Sequence, residues 1–76
     1  MFKTPEEKHE YVIKKGKEKG FDYEVDNVLK AYDALQVLKD REGTQEYKEA
    51  DFNYKNQVST LLGKLMKKEA DEYFLK

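Results

Sequence analysis

The chain has 76 residues, of which 38% are hydrophobic and 41% charged, and it contains no cysteine, which excludes disulfides, thiolate metal sites and thiol catalysis. Its 15 basic and 16 acidic side chains leave a net charge of -1, so no bulk field draws it to nucleic acid. The longest apolar runs, Tyr11 to Ile13 and Tyr73 to Leu75, are too short to span a membrane.

This balance implies a thin core under a heavily charged surface. A helical bundle with one buried stripe per helix fits it. Residues 1–76 are expected to form a single small helical domain, of a size that is often marginal on its own. The first residues lack a hydrophobic signal region, which makes a cytoplasmic location the default expectation.

The first element opens with Thr4-Pro5-Glu6-Glu7. Thr4 is placed to cap the helix, Pro5 takes the first helical position and Glu7 stands three residues after the cap. The helix is predicted over about residues 5–19, with Gly20 free to adopt positive φ at its end. Its apolar content is low: Tyr11, Val12 and Ile13, with Phe2 as a staple. Gly16 weakens the helical pattern by about 1 kcal/mol of propensity.

The second helix is predicted over about residues 23–42, with Asp22 as cap. Its apolar stripe is Val25, Val28, Leu29, Tyr32, Leu35 and Leu38. Lys39 and Arg41 suit the negative end of the helix dipole, and Gly43 closes the element.

The third helix is predicted over about residues 45–75, capped by Thr44. Its stripe of Tyr47, Ala50, Tyr54, Val58, Leu61 and Leu65 repeats at three and four residues. A connection of little more than Gly43-Thr44 forces an antiparallel hairpin. At about 1.5 Å per residue the second helix spans about 30 Å and the third about 48 Å. The third helix therefore overhangs, from Leu65 to Leu75, and a bend at Gly63 is expected near the start of the overhang. No strand is predicted, because period-two alternation is missing. The fold class is all-α: an antiparallel hairpin with a shorter N-terminal helix, resembling a three-helix bundle.

Catalytic chemistry finds little support in these residues. Glu6 and His9 form a Glu-x-x-His pair, the spacing of di-metal carboxylate bundles. A second such pair is missing, so a solvated first turn is the preferred reading, and no metal or cofactor is expected. Ser59 has no base near it in sequence, and no glycine loop cradles phosphate. The chain is read as a non-enzyme.

Two surface features remain. Lys14, Lys15, Lys17 and Lys19 crowd the end of the first helix, and Lys64, Lys67 and Lys68 the later part of the third. Together they could form one basic patch for nucleic acid, the alternative function. However, acids early and bases late in a helix are what dipole complementarity favours without any ligand. The second feature is aromatic: Phe52 lies off the main stripe, Tyr23 is an outlying aromatic, and Tyr73 and Phe74 are unusual as purely solvated groups.

The favoured function is a protein–protein interaction module: a small regulator, inhibitor or assembly adaptor that presents a helical face. The residues expected to meet a protein partner are Leu65, Met66, Tyr73 and Phe74, with Phe52 and Tyr23. A small core and a costly apolar overhang favour pairing of two copies into a homodimer, unless the first helix covers that overhang.

Overall fold

The computed structural model describes residues 2–74, so the expectation for Leu75 lies outside the described residues. Three α-helices follow one another: α1, Pro5–Glu18; α2, Asp22–Val37; and α3, Gln45–Phe74. A short 3-10 turn, Lys39–Arg41, sits between the second and the third. No strand occurs among the described residues. The three helices pack on one another as a small three-helix bundle. The molecule measures 49 × 26 × 16 Å, and the 30 residues of α3 set its long axis.

The start of α1 is built as its sequence implies. The Thr4 hydroxyl accepts a hydrogen bond from the Glu7 N–H at 3.1 Å. The Glu7 carboxylate reaches one residue further back than a capping box requires and accepts from the Lys3 N–H at 2.9 Å. Phe2 stacks on Tyr11, with ring centroids 5.1 Å apart.

The end of α1 is a Schellman turn. Gly20 adopts a φ of 84°, the Phe21 N–H donates to the Gly16 carbonyl at 2.8 Å, and the Gly20 N–H donates to Lys17 at 3.3 Å. Only glycine takes that backbone conformation without cost.

The second helix differs from expectation at both ends. Asp22 is its first residue rather than its cap; Phe21 holds the cap position without a side-chain hydrogen bond. Its α-helical geometry stops at Val37, well short of residue 42. The segment Lys39-Asp40-Arg41-Glu42 is wholly charged and has no apolar side chain to bury, so packing holds no further turn. The chain tightens instead. The Arg41 N–H donates to the Leu38 carbonyl, the Thr44 N–H donates to the Arg41 carbonyl, and the Thr44 hydroxyl caps the Tyr47 N–H at 3.2 Å.

The hairpin of α2 and α3 is antiparallel, with Tyr32 at Tyr54 and Glu24 at Lys64. The core holds Val12 from α1, Val25 and Val28 from α2, and Val58, Leu61 and Leu65 from α3. Gly16 is buried where α1 crosses the hairpin, so it serves close packing as well as weakening helix propensity.

The helix α3 runs unbroken through Gly63. One exposed glycine costs about 1 kcal/mol of helix propensity, and Leu61, Leu62 and Leu65 hold the helix against the core on both sides of it. The expected bend is absent. The overhang also begins later than expected, because Leu65 is only 1% exposed.

Candidate interaction surface

Beyond Leu65, α3 is joined to α1 by polar contacts. The Lys19 ammonium meets the Glu72 carboxylate at 2.6 Å, and the Tyr11 hydroxyl donates to Glu69 at 3.4 Å. The hydrogen bond to Glu72 raises the Lys19 pKa, while partial desolvation opposes the shift. These contacts tether one side of the overhang. Its outer side stays open: Met66, Tyr73 and Phe74 are 64%, 76% and 81% exposed. Tyr73 and Phe74 pack edge to face, with centroids 5.3 Å apart.

Of the six residues expected to meet a partner, five lie on the surface. Phe52 and Tyr23 join Met66, Tyr73 and Phe74 as exposed large side chains. Leu65 does not, and that expectation is corrected: it packs with Val12, Val28 and Leu61 in the core. The one-residue step from Leu65 to Met66 turns about 100° around the helix, enough to pass from core to solvent. Tyr23 stands on α2, while the other four belong to α3.

Three of these exposed side chains of α3 are part of a longer pattern, with Phe74 beside its end. Phe52, Met66 and Tyr73 stand at multiples of seven residues, and Ser59 fills the missing step. Asn56, Gly63 and Ala70 interleave with them, giving alternate spacings of four and three. All seven positions are exposed and none carries a charge, although α3 is otherwise rich in lysine, glutamate and aspartate. This is the a/d spacing of a helix seam. It lies away from the core stripe, so α3 has an apolar core face and a second, uncharged face. The interleaved positions leave no apolar periodicity in the sequence, because asparagine, serine, glycine and alanine carry little or no hydrophobic signal. The signal that could have found them is the absence of charge at a 4-3 period.

The seven candidate lysines lie at the end of α1 and along the later part of α3, which the Lys19–Glu72 contact joins. Lys14 and Lys17 line a groove with Glu10, Ile13 and Leu29, whereas Lys64, Lys67 and Lys68 line another with Phe21 and Asp71. Carboxylates also neutralise three of the seven: Lys15 pairs with Glu18 at 3.4 Å, Lys19 with Glu72 and Lys64 with Glu24 at 3.2 Å. Glu24 responds with a lowered pKa, from a backbone hydrogen bond first and the Lys64 ammonium second.

His9 is not part of a solvated turn. Its Nδ1 and the Tyr54 hydroxyl share a hydrogen bond of 2.7 Å, and its ring lies 4.4 Å from that of Tyr32. Burial pushes the Tyr54 hydroxyl above the usual tyrosine range, with Tyr32 and Glu6 adding to the shift. His9 and Ser59 line a common groove of about 560 Å³, along with Phe2, Pro5, Val58 and Lys55. His9 commits Nδ1 to Tyr54, an arrangement that ties α1 to the hairpin. Among the described residues no three His, Asp or Glu side chains are placed to hold a metal ion. No helix among them is long and apolar enough to cross a membrane.

No protein-family model, curated protein or solved structure matches the chain.

Proposed function

We propose that the chain is a non-enzymatic interaction protein that works by presenting the outer face of α3 to a protein partner. The supporting observation is the uncharged 4-3 stripe from Phe52 to Tyr73 on a helix whose inner face already completes the core. A helix with only structural duties needs one apolar stripe; its outer face gains solubility from charge. Here charge is withheld from seven positions in register, and Phe52, Met66, Tyr73 and Phe74 are left in water. Exposed large apolar side chains aligned along one helix are the pattern of helix-in-groove and helix-on-helix recognition. A small regulator, inhibitor or assembly adaptor acts in this way.

Capture experiments test the reading. Immobilised wild-type chain and the Met66→Glu variant are exposed to the same extract of the source cell. The variant is expected to lose the proteins that the wild type retains. Equal recovery by both would overturn the assignment of this face.

A further inference from the structure

We propose that the partner seated on this face is a second copy of the chain, paired antiparallel along α3 in one register. The inference rests on reading the stripe as an interaction surface and adds its occupant.

Shape complementarity is the first argument. Setting Ser59 of one copy opposite Gly63 of the other places the two-fold axis between them. Phe52 then faces Ala70 of the second copy, and Asn56 faces Met66. Phe52 and Met66 each meet a smaller side chain, Tyr73 meets Glu49 at the outer end of the seam, and the centre holds only serine and glycine. A parallel pairing would stack Phe52 on itself and Gly63 on itself, wasting contact at both layers. Shifting the antiparallel register by one heptad pushes Phe52 beyond the described helix, or moves Glu49 from Tyr73 at the end of the seam to Met66 and leaves Tyr73 opposite residue 42, before α3 begins.

Gly63 supplies a second argument. A β-carbon at this position would meet nothing within 4 Å inside the chain, and the residue is plain α-helix. Gly16 and Gly20 are accounted for by close packing and by positive φ. Nothing within the chain asks for glycine at 63. At the middle of a helix seam the missing side chain allows close backbone approach.

Charge is the third. The stripe is flanked on one side by Lys55 and Glu69, which stand seven residues to either side of Leu62. In the antiparallel register these flanking positions face each other across the seam. Lys55 of each copy meets Glu69 of the other, twice by symmetry. Within one copy the exposed Lys55 ammonium pairs with the half-buried Asp51 carboxylate at 2.8 Å, and Glu69 accepts from the Tyr11 hydroxyl at 3.4 Å, so each charge keeps its neighbour in the chain while it meets the second copy. The groove beside α1 opens at Lys55 and Ser59, next to the layer where Met66 of the second copy arrives.

Sedimentation equilibrium of the full chain across a wide concentration range is the test, repeated with Lys55→Glu, with Glu69→Lys and with both together. Wild type is expected to dimerise reversibly. Each single charge reversal is expected to weaken the dimer about tenfold, and the double reversal to recover most of that loss. Single-cysteine variants check the register, since the chain has no cysteine of its own. Ser59→Cys mixed with Gly63→Cys is expected to form a mixed disulfide. Ala70→Cys alone is not, because antiparallel pairing sets the two copies of residue 70 about 27 Å apart along the axis. A chain that stays monomeric throughout overturns self-pairing, while stripe-dependent capture of another protein would still support the function proposed above. Rapid self-crosslinking by Ala70→Cys, or no recovery in the double reversal, overturns the antiparallel register.

Discussion

A β-carbon on Gly16 would overlap the Cγ2 methyl of Val25, and Leu61 stands 3.3 Å from the same point. The glycine thus sets how closely α1 can lie on the hairpin. Gly16→Ala gains up to about 1 kcal/mol of helix propensity but forces Val25, a short and stiff side chain, to move. Overpacking of this kind costs about 1–3 kcal/mol, so net destabilisation is expected. Chemical denaturation checks it, and pairing Gly16→Ala with Val25→Ala should recover part of the loss caused by the clash.

Leu65 and Met66 are neighbours with opposite fates. Leu65→Ala empties a core position and is expected to cost about 2–5 kcal/mol. Met66→Ala removes an exposed side chain and should leave the dilute chain within about 0.5 kcal/mol of wild type. Thermal unfolding of the two variants under matched conditions separates them.

Gly63 should be replaceable within a single chain. Gly63→Ala has open space for its methyl and is expected to stabilise the dilute protein by about 0.5–1 kcal/mol. A bulkier residue, as in Gly63→Leu, should keep the helix and obstruct self-association. Circular dichroism and sedimentation on the same samples report both effects.

The raised pKa of Tyr54 predicts an alkaline weakness. The folded state holds the hydroxyl neutral, so its contribution is complete below the ordinary tyrosine value of 10.0 and is lost as pH rises through the higher folded value. Phenolate absorbance should show one tyrosine titrating late, and Tyr54→Phe should remove that late step. The variant also loses the hydrogen bond to His9, a cost of about 0.5–1.5 kcal/mol at neutral pH.

Much of the fold is legible in the residues themselves. Thr4-Pro5 marks the start of α1 and Gly20 its end, because capping and positive φ are local requirements. The stripe from Tyr47 to Leu65 identifies the face of α3 that meets α2 and α1. The end of α2 is less legible: a charged run at Lys39–Glu42 is compatible with a helix in isolation, and only the absence of a packing partner ends it. Leu65 departs from expectation for a related reason. Judged by length against α2 alone it begins an overhang, whereas α1 supplies the missing neighbour through Val12. The role of His9 depends on a residue 45 positions away and leaves no local trace. The outer face of α3 is visible in the sequence only once uncharged positions are counted alongside apolar ones.

In the proposed division of α3, the inner face makes the fold and the outer face makes the contact. Met66→Glu separates the two, with sedimentation and thermal unfolding measured on one sample series. Loss of association is expected, with an unfolding transition at high dilution that matches wild type. An unfolded variant, or one that associates as strongly as wild type, would contradict the division of the helix into these two faces.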